Sequence, residues 1–351
     1  MERKYLGIDL GPSAVKLLLA TPAGRCRHVK CDYEKADISG WCEALKEAAA
    51  MLKEQDALEE LCGIALSSQV GTYITDTGEI LSWESAAGKE ELCEIKAAVT
   101  DKQWTEQIGM VHPDLVSYPL PRLLYIKRHF PQCRAVMMPK ELLLYELTGN
   151  LITDPFSWRG LCDPDKKAYS YSLLEKFGID LSLPPLGLPT DCAGCVNEAA
   201  AQKYGLPVGT PVYIGCNDFY AGLLGMGVLE EDSVFELSGT SEHLGIITAE
   251  RMEGAFVSGR YFNGFASYGG TKSSGACCNF AIRNFGIDKL DMRNMFSDAP
   301  VFLPYLNGER APIYDENAKG VFFGINAKTS SDDMAYAVLE GVVFSLYHIY
   351  E

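Results

Sequence analysis

No stretch of this sequence matches GxxxxGK[ST], the glycine-rich loop closed by a lysine that cradles nucleotide phosphates, so a P-loop site is excluded. Basic clusters are missing too. Lys and Arg number 31 against 47 Asp and Glu, and the net charge of −16 opposes binding to a DNA or RNA backbone. The opening residues MERKYLGIDLG place charges before only a short apolar strand, too little for a secretory signal or a membrane span. The expectations are a cytoplasmic location with no nucleic-acid and no membrane partner. Cys192 and Cys195 form a lone CxxC without a second pair or a nearby histidine, which favours coincidence over a zinc site.

What is present is ordinary for a globular chain: 47% hydrophobic and 22% charged residues over 351 positions, room for about two domains. The 12 cysteines fit a reducing compartment, Cys62 and Cys216 reading as small hydrophobes inside apolar runs and Cys277–Cys278 as helix packing.

Periodicity gives alternating elements. Apolar strands are expected within residues 5–20 on either side of the turn 10–13, at 25–31 and at 63–69, a hairpin over 72–83 and a strand in 211–218 that ends in its acid. A strand pair follows over 233–248. Helical spacing appears at 41–53, 89–98, 121–129, 139–147, 194–204 and 330–351. Such alternation argues for an α/β fold with open sheets.

Two strands end in an acid. YLGID runs into the turn Leu10-Gly11-Pro12-Ser13, and PVYIGCND (211–218) runs into a helix rich in small residues. An acid at the end of an inside strand is costly to desolvate unless something there uses it. On the first stretch alone, a hairpin capped by a solvated Asp9 and a ligand-holding turn both remain open. Turns such as 10–13 and Ser238-Gly239-Thr240-Ser241 aim backbone N–H groups and hydroxyls at one spot, which suits phosphate oxygens.

These motifs, in order along the chain, resemble the FGGY carbohydrate kinases. DLGPSAVK (9–16) resembles the first phosphate motif of that family, GIALSSQ (63–69) the strand before the sugar site, and PKELLLYELTGNLITD (139–154) its helix and Leu-Thr-Gly turn. GLPVGTPVYIGCNDFYAGLLGMG (205–227), ELSGTS (236–241) and FLPYLNGERAPIYDENAKGVFFGI (302–325) resemble the catalytic-aspartate region, the second phosphate motif and the signature of the second domain. The resemblance implies a two-domain actin-like ATPase fold with a central cleft, residues 1–228 forming the first domain and 229–351 the second. It implies ATP-dependent phosphorylation of a sugar hydroxyl, with ATP and Mg²⁺ as cofactors and a small sugar as partner.

Roles follow by position. Asp218 would be the general base and Asp9 the Mg²⁺ ligand. Gly11, Ser13 and Lys16 would line one side of the polyphosphate, with Gly239, Thr240 and Ser241 on the other. Gln69, Gly71, Trp83, Glu84 and Asn217 stand where family members contact substrate. Trp83 suits either stacking on a sugar or a place at the rim of a core, and Asn217 either bonds a hydroxyl or braces the turn. Xylulose kinases carry Gln-Met-His-Gly where this chain has Gln69-Val70-Gly71-Thr72, and Trp-x-Asp-x-Arg where it has Trp83 followed by ESAAGK. A pentulose such as xylulose is the first expectation, with other ketoses, sugar acids and polyols open. Pro12 replaces the usual threonine and removes a hydroxyl and an N–H donor.

The last segment, 330–351, is a helical pattern with Met334, Val338, Val342, Leu346 and Ile349 on one face and no C-cap. It sets two expectations: a second domain without the glycine-rich adenosine segment of the family, and burial of the apolar face in a homodimer. A non-catalytic sugar- or nucleotide-binding remnant is the competing function.

Overall fold

The computed structural model describes residues 3–56, 58, 61–109, 115–163, 165–252, 257–285 and 299–351. The chain divides into two compact units, Met1–Gly225 and Met226–Glu351.

The first unit begins with β1 (Lys4–Leu10), β2 (Ala14–Ala20), β3 (Cys26–Asp32), α1 (Ile38–Gln55) and β4 (Leu61–Ser68). It continues with β5 (Tyr73–Thr75), β6 (Ile80–Leu81), α2 (Lys89–Ala98), α3 (Asp101–Ile108), α4 (Pro119–His129), β7 (Val136–Met137) and α5 (Pro139–Thr148). Then come β8 (Cys162–Asp163), β9 (Ala168–Tyr169), α6 (Tyr171–Lys176), β10 (Cys192–Cys195), α7 (Glu198–Tyr204), β11 (Pro211–Asn217) and α8 (Asp218–Gly225). Its main sheet has the order β10-β11-β4-β1-β2-β3. β11, β4 and β1 run parallel, flanked by antiparallel β10 on one side and β2 and β3 on the other.

Alternation decides which face of this sheet is dry. Leu6, Ile8 and Leu10 of β1 and Val15, Leu17 and Leu19 of β2 are buried, and α1 lays Trp41, Ala44, Leu45, Ala48 and Leu52 into the same core. Asp37 starts α1, its carboxylate accepting from the Gly40 N–H at 2.8 Å. The expected hairpin over 72–83 is β5 paired with β6, Tyr73 opposite Leu81. Two expectations fail. Residues 192–195, partly assigned to a helix, form edge strand β10 against β11, and α7 starts only after its cap Asn197. A four-residue edge strand shows too little alternation to announce itself. Cys62 also departs from its reading as a buried hydrophobe, since it is exposed; every cysteine is a free thiol.

The second unit holds β12 (Val234–Ser238), β13 (Glu242–Thr248), β14 (Val257–Tyr261), β15 (Gly264–Gly270), α9 (Gly275–Phe285), β16 (Val301–Leu303), β17 (Val321–Phe323) and α10 (Ser331–Tyr350). β12-β13-β15-β14 form an antiparallel sheet. α9 and α10 bury Cys277, Ala281, Ala337, Val338 and Val342 around Phe302. Ser330 and Asp333 close a capping box on α10, while Val343, Phe344, Tyr347 and Tyr350 on that helix are exposed. No helix among the described residues is long and apolar enough to cross a membrane.

Candidate functional site

Parallel pairing brings three strand ends to one edge. Asp9 lies opposite Ser67, and Cys216 and Asn217 opposite Ser67 and Ser68, so Asp9, Gln69, Asn217 and Asp218 gather at the carboxyl ends of β1, β4 and β11. That edge is where open α/β sheets bind ligands. The aim of β11 is set by a bulge: its register with β4 shifts between Tyr213 and Cys216, and Gly215 within it has φ +69°. A Cβ at Gly215 would lie 1.7 Å from the Leu66 carbonyl oxygen, so only glycine fits there.

Asp218 is the first residue of α8, and its Oδ1 accepts from the Phe219 N–H at 2.8 Å. Burial among protein groups, and then the nearby Asp9 carboxylate, push its pKa up to about 6; the Phe219 N–H, Arg159 and Lys16 pull the other way. The residue as a whole is exposed. The two observations agree, because desolvation depends on how much protein replaces bulk water around the carboxylate, while some of its surface still meets solvent. Asp9 Oδ1 accepts from the Ser67 hydroxyl at 2.9 Å, and its Oδ2 meets the Lys16 ammonium at 3.3 Å. An exposed-edge carboxylate with a hydroxyl beside it is the hard oxygen donor set that suits Mg²⁺, an ion that keeps several waters and shares itself with substrate phosphates. Among the described residues no three His, Cys, Asp or Glu cluster as a larger metal site.

The two turns differ in what they offer. In the first, the Gly11 N–H is used by Ala14 O at 3.0 Å, Pro12 has none, and Tyr33 binds the carbonyls of Gly11 and Ser13. Among the described residues, the N–H and hydroxyl of Ser13 are left for an anion at this turn, together with the Lys16 ammonium that also pairs with Asp9. In the second, the N–H groups of Ser274, Gly275 and Ala276, at the start of α9, bond back to the carbonyls of Thr240, Gly239 and Thr240. The N–H groups of Gly239, Thr240 and Ser241 make no backbone hydrogen bond among the described residues, and Gly239 and Thr240 are exposed. Buried Glu242 braces this turn, accepting from Ser238 at 2.8 Å and Ser274 at 2.5 Å, and burial pushes its pKa up.

Asn217 resolves toward bracing. Its Nδ2 donates to Phe156 O at 2.9 Å, its Oδ1 accepts from the Tyr220 N–H at 2.9 Å as the cap of α8, and it is buried. Gln69 is buried, and its Oε1 has no hydrogen-bond partner among the described residues. Gly71 (φ +88°) leads to Thr72, whose hydroxyl accepts from the Trp83 N–H at 3.1 Å. Trp83 and Glu84 are exposed. Arg122, fully buried, holds their segment by donating to Ser82 O at 3.0 Å and Ser85 O at 2.8 Å. Sequence reading passed over Arg122, Arg159 and Glu242; the one available signal was a lone charge inside the apolar run PLPRLLYI.

Comparison with known proteins agrees across the chain. The model of the FGGY family of carbohydrate kinases, N-terminal domain, matches residues 4–225, and that of its C-terminal domain matches 237–351. Xylulose kinase from Lactococcus lactis is 28% identical over 383 aligned residues, covering 97% of this chain and 75% of that protein. Xylulose kinase from Escherichia coli is 26% identical over 381 residues, covering 97% and 77%. Two solved structures share the fold: a ligand-bound xylulose kinase from Lactobacillus acidophilus (TM-score 0.86, 24% identity, 99% of this chain and 78% of that one) and a gluconate kinase from the same organism (0.85, 24%, 99% and 77%).

Proposed function

The chain belongs to the FGGY family of carbohydrate kinases, and on that footing we propose that it moves the γ-phosphoryl group of ATP to a hydroxyl of a pentulose, with Asp218 as the general base. The observation that carries the reading is an aspartate at the carboxyl end of a parallel strand, fixed by the first turn of a helix and tuned to about 6. A base poised below neutral pH is ionised in the working range and keeps useful proton affinity. The sugar hydroxyl gives its proton to the Asp218 carboxylate as its oxygen bonds to the γ-phosphorus, and the bond to the ADP oxygen breaks.

Lys16 and the hydroxyl and N–H of Ser13 neutralise phosphate charge on the first unit's turn, and the N–H groups of Gly239, Thr240 and Ser241 do so on the second unit's turn. Asp9 would hold Mg²⁺, which when bound shields the phosphates and stabilises the charge of the leaving group. Gln69 and Trp83 orient the sugar. Asn217 orients Asp218 instead.

The pentulose assignment rests on the named relatives. The altered segments 69–72 and 83–87 and the Arg159 guanidinium near Asp218 favour a second reading, a sugar acid whose carboxylate would meet that cation. A coupled ADP-release assay with D-xylulose, L-xylulose, D-ribulose, D-gluconate and glycerol separates the two. Turnover of a pentulose that Asp218→Asn abolishes is expected. Gluconate turnover that Arg159→Gln abolishes would move the assignment to sugar acids. Turnover of any sugar undiminished in Asp218→Asn would overturn the base assignment, and silence with all five would favour a non-catalytic sugar- or nucleotide-binding role.

A further inference from the structure

Lys140 and Asp154 form an ion pair with side-chain exposures of 1% and 0%. Burying two charges is expensive, and a pair of apolar residues of similar shape would often serve stability as well. Its remaining contacts all lead one way. The Lys140 ammonium also donates to the carbonyl oxygens of Ile214 at 3.3 Å and Gly215 at 3.4 Å, the bulge that turns β11 just before Asn217. Asp154 Oδ1 accepts from the N–H groups of Phe156 at 2.9 Å and Ser157 at 3.0 Å, and the Ser157 hydroxyl donates to Oδ2 at 2.5 Å. The turn so fixed offers Phe156 O to Asn217 Nδ2, and Asn217 Oδ1 caps the helix that Asp218 begins.

Two limbs therefore leave the pair and meet at the peptide on which Asp218 stands. The lysine limb holds the backbone before it, and the aspartate limb holds the helix cap beside it. We infer that the buried Lys140–Asp154 pair is a positioning device for Asp218, holding the carboxylate of the base in a single direction through the β11 bulge and the Asn217 cap. Charge is suited to this role. One ammonium spans a carboxylate and two carbonyls at once, and that carboxylate collects three donors besides the ammonium, where apolar side chains would fill the space and hold neither the bulge nor the turn. The inference rests on the reading of Asp218 as base.

The test is the double variant Lys140→Met/Asp154→Leu, which removes both charges together and leaves no unpaired one. In the ligand-free chain, amide hydrogen exchange at Phe219 and Tyr220 is expected to rise by about tenfold or more while exchange in the centres of β1, β2 and β4 stays within about threefold. With D-xylulose and Mg-ATP, kcat is expected to fall by about 30-fold or more with KM for either substrate changed by less than about threefold. Exchange at Phe219 and Tyr220 unchanged, or raised equally throughout the sheet, overturns the positioning role whether or not D-xylulose is the substrate. Asp218→Asn in parallel separates the readings: loss of activity there with full activity in the double variant sinks this inference alone, whereas full activity in Asp218→Asn sinks the base assignment. Should the double variant not fold, Ser157→Ala keeps both charges and removes one donor to Asp154, and the same two amides must exchange faster with a smaller fall in kcat.

Discussion

Lowering the pH should switch this enzyme off well above the range of an ordinary aspartate. With Asp218 at about 6, the ionised fraction is about nine-tenths at pH 7 and about one-tenth at pH 5. An aspartate at its usual value near 3.8 would still be more than about nine-tenths ionised at pH 5. Because the base works only when ionised, kcat/KM should climb tenfold per pH unit below the midpoint and level off above about 7. The sign for stability is opposite: a folded value above the unfolded one favours the protonated form, so the contribution of Asp218 to stability is greatest at low pH and is lost as pH rises through about 6. Initial rates from pH 4.5 to 8.5 at constant ionic strength and saturating Mg-ATP give the profile. Titration of the nucleotide is separated by Arg159→Gln: losing that cation must move the midpoint upward, whereas a nucleotide titration would stay where it was. A midpoint near 4, or one that Arg159→Gln leaves in place, would refute the assignment.

Three further outcomes are expected. Pro12→Thr restores an N–H and a hydroxyl at a turn where, among the described residues, Ser13 and Lys16 are the donors left for phosphate, and ADP should bind about fivefold tighter by calorimetry, the gained bonds partly offset by a looser turn. Gly215→Ala drives a Cβ into Leu66 O at φ +69°, and should cost roughly 2–4 kcal/mol in urea unfolding along with most of kcat. Glu242→Gln keeps one oxygen to accept from a serine, makes the other serine hydroxyl accept from the amide N–H, and removes the carboxyl charge beneath the second turn; ATP affinity should rise about threefold at pH 8, with a smaller gain as the pH is lowered, since burial favours the neutral form of Glu242.

Much of this site is visible in the sequence because its cost is visible. An acid after YLGI and another after PVYIGCN stand out as charges at the ends of strands that alternation marks as buried, and Asp9 and Asp218 do sit along the same edge of one sheet, with β4 between their strands. The turns at 11–13 and 239–241 were legible as glycine-centred interruptions between strands. What each turn could donate was not. The Gly11 N–H is taken by Ala14, and the first N–H groups of α9 are spent on Gly239 and Thr240, pairings between residues far apart in sequence or hidden within a hairpin.

The buried charges escaped notice for a sharper reason. Lys140 stands in PKELLLYEL, where a lysine at the start of a helix reads as solvent-facing, and Asp154 lies 14 residues on, in a segment with no periodicity. Periodicity assigns faces from the apolar residues and leaves every charge outside by default, so it fails wherever a charge is buried to hold backbone. Gly215 is legible only in retrospect: glycine inside PVYIGCND weakens a strand, and that weakness is what permits the bulge. Both failures fall on the same few residues around Asp218. A strand can end in an acid by pattern alone, but pointing that acid takes a departure from the pattern, and here the departures are Gly215, Lys140 and Asp154.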